Sequence, residues 1–394
     1  MPFRILSLDG GGAWAIIEVE ALIALYGEQA RGHDVLRDFD LAAANSGGTL
    51  VLGGLAENLA LADLRGLFLD ETKRRAIFSR IQNWGDQAFR NLTGLGPKYS
   101  TAAKLQAIGQ QLPNTGATKL GSVVSGVGRP GRPDVHLLIT SFNYDRNRAS
   151  FFRSAPSGRA GWGSGDTSDV TLAEAIHAST NAPVNYFDAP AELPGQLDRY
   201  WDGGISGNNN PVLAAVTEAL VLGQQPRDIV ALSIGTATVF LPLAARGEPP
   251  SPFKQARGAS TLMADLRKMA TSILDDPPDA STFVAHVITG GPDDVPAGKA
   301  SRIVRMNPLI TPVKSDSGAW IAPGGMTAEQ FQYLSNLDMD AVEQADAQAI
   351  ADYARLWLED RVRNQPIRMN GQSLDCEIGH DWFSQARDAW TAIR

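Results

Sequence analysis

The chain has 394 residues, 43% hydrophobic and 20% charged, the balance of a globular protein with a full core rather than a disordered one. Its net charge of -8 argues against bulk attraction to a nucleic-acid polymer, and its single cysteine, Cys376, excludes an internal disulfide framework. No apolar run is long enough to span a bilayer and Met1-Pro2-Phe3-Arg4 does not read as a signal peptide, so the expectation is a cytoplasmic protein with at most peripheral membrane contact.

Phe3 to Leu8 is short, apolar and β-prone, and it stops at Asp9-Gly10-Gly11-Gly12, which predicts a strand entering a turn. Ile17, Val19, Leu22 and Leu25 recur at near-helical spacing and predict a helix over 16–29. The plan then repeats: Phe39 to Ala44 reads as a strand, Asn45-Ser46 as a turn and 47–59 as a helix. Strand, glycine turn and helix, twice over, predict an α/β fold with a mostly parallel sheet. Val135 to Ile139 and Ala149 to Phe152 bracket a polar turn at Asn143 to Asn147. Residues 211–222 read as a buried helix, and Asp228 to Ile234 and Arg302 to Asn307 as further strands. A late helix carries Val342, Ala345, Ala349, Tyr353 and Leu356 on one face. Stretches rich in glycine, proline and serine at 155–168, 241–257 and 275–281 read as loops. Because the motifs spread from Asp9 to Asp202, one catalytic domain over 1–363 is expected, with 364–394 as a C-terminal extension.

Three motifs supply parts for acyl-transfer chemistry. Ala44-Asn45-Ser46-Gly47-Gly48 places a serine between a strand and a helix, flanked by small residues, as in a nucleophile elbow. Ala44 and Gly48 stand where bulk would clash, and the start of the helix offers N–H groups and a positive dipole end. Taken alone, the pentapeptide also fits a serine capping an ordinary helix. Gly10, Gly11 and Gly12 let successive N–H groups point into one concavity that suits a developing oxyanion. The Lys-Ser/Thr pair of a phosphate loop is absent, and Ala15 stands where a dinucleotide motif would have its last glycine. Asp202 precedes Gly203-Gly204, which let the backbone turn sharply beside the carboxylate. A carboxylate takes a serine proton when burial raises its pKa and the hydroxyl lies in reach. None of the histidines (His33, His136, His177, His286 and His380) has a strong catalytic context, although His286 or His380 could complete a histidine triad in a conventional α/β-hydrolase.

These residues resemble the patatin-like phospholipases, a family with an N-terminal Asp-Gly-Gly-Gly, a Gly-x-Ser-x-Gly elbow and a later Asp-Gly-Gly/Ala. The likeness extends to Gly96-Pro97-Lys98-Tyr99, to His177-Ala178-Ser179-Thr180-Asn181-Ala182-Pro183 with Tyr186-Phe187, to Asn209-Asn210-Pro211 and to Leu232-Ser233-Ile234-Gly235-Thr236. It runs from about Phe3 to about Asn307. The resemblance implies a three-layer sandwich with the sheet between helices. It also implies a Ser46-Asp202 dyad, oxyanion N–H groups from Gly10, Gly11 and Gly12, and hydrolysis of a glycerophospholipid through an acyl-enzyme, with no metal or cofactor. Three positions depart from the family pattern: Ala44 replaces the first elbow glycine, His177 the usual arginine of its stretch, and Ala13-Trp14-Ala15 the usual x-Arg-Gly. Trp14 and Ala44 therefore keep open a non-catalytic, lipid- or ligand-binding scaffold.

Lys73 to Trp84 mixes basic and large apolar residues, with Ile77, Ile81 and Trp84 on one helical face; it suits either an interfacial segment or a helix packed on the core. Leu262, Leu266, Met269 and Ile273 form a second such stripe. An unregulated phospholipase would threaten its own cell, so control by a partner, by oligomerisation or by a small ligand such as a cyclic nucleotide is a further expectation. The aromatic-rich tail and the stretches near Trp162 and Trp320 are the places for it.

Overall fold

Strands with unbroken apolar sequence form the centre of the sheet in the computed structural model, which describes residues 2–81, 97–154, 167, 169–183, 186–256, 277–291, 300–370 and 374–394. In chain order the strands up to Met306 are β1 (Phe3–Leu8), β2 (Leu41–Ala44), β3 (His136–Asn143), β4 (Arg148–Arg153), β5 (Ala191–Glu192), β6 (Arg199–Asp202), β7 (Ile229–Ile234), β8 (Thr238–Val239) and β9 (Ile303–Met306). β3, β2, β1, β7 and β9 lie side by side and parallel. Alternate residues face opposite layers. Leu6, Leu8, Ala42, Ala44, Leu137, Leu232 and Val304 enter one core with helices Ile16–Tyr26, Ser46–Ala56 and Gln344–Leu358. Ile5, Leu41, Ala43, Leu138, Ala231 and Ile303 enter the other, against helices Val212–Val221 and Pro277–Thr289. Covering both faces is what a continuous apolar strand requires, and it gives the expected three-layer α/β sandwich.

The register brings the functional turns together. Leu8 pairs with both Ala44 and Ile234, so β1, β2 and β7 end level with one another. β1 is followed along the sheet by β2 on one side and by β7 on the other, which makes a topological switch point at this edge. β4 pairs with β3 from Leu138 to Asn143, so β2 (at 136–139 of β3) and antiparallel β6 (at 141–143) share the opposite side of β3. The two therefore meet end to end: Ala44 lies beside Ile139 and Asp202 beside Ser141, with only Thr140 between.

Packing selects between the alternatives of some expectations and corrects others. The helix at 71–77 stops at Ile77, with Arg74 and Ile77 buried, so this part is core and not a free interfacial face; Trp84 lies outside the described residues. The second stripe, 262–273, and Trp162 lie outside them too. The helix Gln344–Leu358 buries Ala347, Ile350, Ala351, Ala354 and Trp357 along with Tyr353, while Ala345 is exposed and Val342 precedes the helix. The final helix, Phe383–Ile393, is not an appendage: Trp390 stacks on Phe39 at 5.7 Å and Phe383 meets Trp357 edge-on at 4.7 Å, all within the main core. No helix among the described residues is long and apolar enough to cross a membrane.

Candidate active site

Ser46 opens the helix after β2 with a φ of +45°, in the left-handed region that costs a side-chain-bearing residue about 1–2 kcal/mol. Neighbouring backbone forces this turn to be tight. A Cβ on Gly48 would lie 2.6 Å from the carbonyl oxygens of Leu8 and Asp9, and one on Gly10 would lie 3.0 Å from Ser46 Cβ. Ala44, by contrast, points its methyl into the helical core, which explains why the elbow accepts alanine there. The Ser46 amide is committed to Ser179 Oγ at 2.9 Å.

The Asp202 carboxylate is buried, and the Ser46 side chain lies close enough to it to act against the rise in its pKa. Two donors fix its Oδ1: Asn45 Nδ2 at 3.0 Å and the Gly204 amide at 2.8 Å. Asn45 is held in turn by Thr140, whose hydroxyl donates to Asn45 Oδ1 at 2.6 Å, and a Cβ on Gly203 would lie 2.5 Å from the same oxygen. Burial raises the Asp202 pKa from its ordinary value, opposed by the nearby Ser46 side chain, by the bonds from Gly204 and Asn45 and by Lys104.

Lys104 is itself fully buried, with Nζ donating to His177 O at 3.0 Å and Asn181 Oδ1 at 2.8 Å and lying 4.1 Å from the Phe187 ring centroid. Burial drives its pKa well below the ordinary lysine range. Asn181 links it to the site, because its carbonyl accepts the Asp202 amide at 3.0 Å. Burial, with Lys104 nearby, depresses His177 to about 2, so the residue in place of the family's arginine stays neutral.

The glycine turn divides its amides. Gly10 N–H donates to Asn209 O at 2.8 Å and Ala13 N–H to Met339 O at 2.9 Å. This corrects the expectation for Gly10: its amide is occupied. The amides of Gly11 and Gly12 have no acceptor among the described residues. Gly47 lies directly across from Gly12, since a Cβ on Gly47 would come 2.7 Å from Gly12 N. Beneath the turn, Asp9 pairs with Arg305 at 2.7 Å, both buried, and Arg305 also donates to Ser233 Oγ at 2.9 Å. Burial raises the Asp9 pKa to about 6 despite Arg305.

No histidine among the described residues hydrogen-bonds Ser46 or Asp202. His33 meets Ala56 O, His136 meets Glu218, and His286 Nδ1 meets Ser301 Oγ at 2.8 Å, while His380 is half-buried near Asp381. Sequence reasoning did not single out Asn45 as a carboxylate clamp, although it sits inside the elbow motif. Ser179 and Asn181 stood inside the His177–Pro183 stretch with no role assigned to them, and Lys104 and Arg305 gave no signal, because each acts through contacts distant in sequence.

A sequence model of the patatin-like phospholipase family matches residues 6–216, more than half the chain. An intracellular phospholipase A2 of Caenorhabditis elegans is 27% identical over 217 residues, covering 55% of this chain. The chain spans 17% of that relative. Among solved structures, VipD from Legionella pneumophila aligns over 100% of this chain and 74% of its own, with 11% identity and a TM-score of 0.35. The type III effector ExoU aligns over 90% of this chain and 53% of its own, with 14% identity and a TM-score of 0.28. With the Ser46 turn, Asp202-Gly203-Gly204 and the glycine turn all inside the matched span, this chain belongs to the patatin-like phospholipase family.

Proposed function

We propose that the chain hydrolyses carboxylic esters of glycerophospholipids, with Ser46 as nucleophile and Asp202 as the base that activates it. One observation carries this reading: a serine held in the left-handed conformation at the strand–helix turn, with its side chain beside a buried carboxylate whose Oδ1 is clamped by Asn45 and Gly204. An ordinary carboxylate is too weak a base for a hydroxyl. Burial raises Asp202, and the bonds from Asn45 and Gly204 hold its ionised form in one orientation.

In the first step the Ser46 Oγ–H proton passes to Asp202 as Oγ bonds to the ester carbonyl carbon. The tetrahedral oxygen carries the charge. The Gly11 and Gly12 amides, with Gly47 at the positive end of the helix Ser46–Ala56, are the donors for it, while Gly10 shapes the turn. Collapse breaks the ester C–O bond, Asp202 returns its proton to the departing alcohol, and an acyl-enzyme remains on Ser46. Water, deprotonated by the same carboxylate, then releases the fatty acid and restores the serine. Substrate that resides in bilayers requires peripheral contact at the mouth of the site.

The test is fatty-acid release from mixed phospholipid vesicles by wild type, Ser46→Ala and Asp202→Ala, with a fluorophosphonate probe in parallel. Release and labelling confined to wild type are expected. Labelling that persists in Ser46→Ala, or release that persists in folded Asp202→Ala, would refute the assignment.

A further inference from the structure

The helix Thr101–Gln111 buries Thr101, Lys104, Ala107 and Ile108 on one face. Lys104 thus stands at a core position of an amphipathic stripe, and it is 0% exposed. A lysine is almost never buried completely unless its charge is paired. The surroundings of Nζ suit the ammonium form. Three acceptors face it: His177 O at 3.0 Å, Asn181 Oδ1 at 2.8 Å and the Phe187 ring, with its centroid at 4.1 Å. Asn181 presents its oxygen there because its Nδ2 donates to Ala189 O at 2.7 Å. His177 O lies in the last turn of the helix Leu172–Ser179, where orphan carbonyls and the negative dipole end favour a cation. These partners are all neutral. Burial works against the charge on Lys104, and the carboxylate that works for it is Asp202.

The stretch that Lys104 grips touches both members of the dyad through their backbones. Ser179 Oγ accepts the Ser46 amide at 2.9 Å, and Asn181 O accepts the Asp202 amide at 3.0 Å. Lys104 bonds to this stretch at both ends, at residues 177 and 181. The other side chains against the pair carry no charge: Ser46 and Asn45 beside Asp202, and Phe187 and His177, kept neutral by burial, beside Lys104.

We propose that Lys104 is a positioning residue of the dyad: a buried counter-cation for the Asp202 carboxylate that also holds, through His177 and Asn181, the stretch against which Ser46 and Asp202 are set. The proposal rests on the Ser46–Asp202 reading above. Lys104 acts on the base before reaction begins. Its loss should therefore appear in the ionisation of Asp202 and not equally at every pH.

Two variants separate charge from hydrogen bonding: Lys104→Gln keeps donors for His177 and Asn181, and Lys104→Met keeps neither donors nor charge. In both, the acid limb of kcat/KM for a soluble short-chain ester should move up by on the order of one pH unit, so that the rate well below the limb falls about tenfold while the plateau loses less. A second measurement does not involve catalysis. Urea melts of wild type, Lys104→Gln, Asp202→Asn and the double variant form a cycle. If the two charges balance, Lys104→Gln costs less stability in the Asp202→Asn background than in wild type, because there it removes a cation that has lost its counter-charge. Additive losses, or an acid limb that stays in place in both variants of an active enzyme, would overturn the proposal. If the single variants do not fold, folding restored by Asp202→Asn is the expected result, and failure of the double variant as well overturns it. Coupling in the melts with neither ester hydrolysis nor fluorophosphonate labelling in wild type overturns the Ser46 reading, and the positioning role of Lys104 with it.

Discussion

Asn45→Ala tests whether Asp202 works as a base under the control of its donors. The substitution removes the Nδ2 bond to Asp202 Oδ1 at 3.0 Å and leaves Gly204 as the remaining donor to that oxygen. A hydrogen bond to a buried charged group is worth about 1.5–3 kcal/mol, and its loss falls on the ionised carboxylate alone. The Asp202 pKa, already raised by burial, therefore rises further. Since the base must be ionised, kcat/KM for a soluble short-chain ester should fall by about 10- to 150-fold on the acid side of the profile. The loss should shrink as pH rises and the carboxylate ionises in both proteins. Thr140 also loses its acceptor, so melting is followed in parallel to confine the rates to folded enzyme. An acid limb that stays in place, or a loss equal at every pH, would refute the reasoning, because either would mean that Asn45 only packs.

The left-handed φ of Ser46 predicts that Ser46→Gly is more stable than Ser46→Ala by about 1 kcal/mol in urea melts, with neither labelled by a fluorophosphonate; equal stabilities would remove the strain argument. Arg305→Met should cost about 3–5 kcal/mol, because it strands Asp9 without its partner. The folded Asp9 pKa, about 6, exceeds its unfolded value, so stability held below the unfolded pKa is lost as pH rises through the folded one. Buried Glu18, raised for the same reason with Asp9 beside it, adds in the same sense, and Asp279 also repels Asp9. The variant should therefore be worse well above pH 6 than well below it, and a pH-independent loss would contradict this account.

The sheet and its turns were legible because their signals are local. Apolar runs that stop at glycines give β1 and β2, and the polar turn Asn143 to Asn147 gives the β3–β4 hairpin, where Asn147 adopts a φ of +54°. Ser46, Asp202 and the glycines were legible through short motifs. The side chains that govern them were not. Lys104 lies 98 positions from Asp202 in sequence (202 - 104), in a helix that otherwise reads as polar, and its burial is decided by Asn181 and Phe187. The face of Gln344–Leu358 was misassigned although Ile350, Ala354 and Trp357 mark it at helical spacing. The tail looked separate because composition changes after Arg363, yet Trp390 and Phe383 complete the same core as Phe39 and Trp357.

Trp14, a departure from the family pattern, bears on how the glycine turn is held. Where the family usually has an arginine, this chain buries an indole whose Nε1 donates to Asp338 O at 3.2 Å. Next to it the Ala13 amide donates to Met339 O at 2.9 Å, and a Cβ on Gly12 would lie 2.4 Å from the same oxygen. The segment that receives these contacts is tied down in turn: Lys98 bridges Asp338 and Asp340, each at 3.1 Å, and the Tyr99 hydroxyl donates to Asp340 at 2.5 Å. The glycine turn is thus fastened from one side by 338–340 and from below by Asp9 and Arg305. A charged arginine would favour an anion at long range but leave the amides to be oriented by other means. A fastened turn does the reverse: it adds no charge, and in the proposed mechanism it holds the Gly11 and Gly12 N–H groups in place before the oxyanion forms, so that little reorganisation remains. In the proposed mechanism, stabilisation of the transition state accordingly rests on the direction of backbone amides, and a substitution that loosens the 338–340 segment is expected to weaken it.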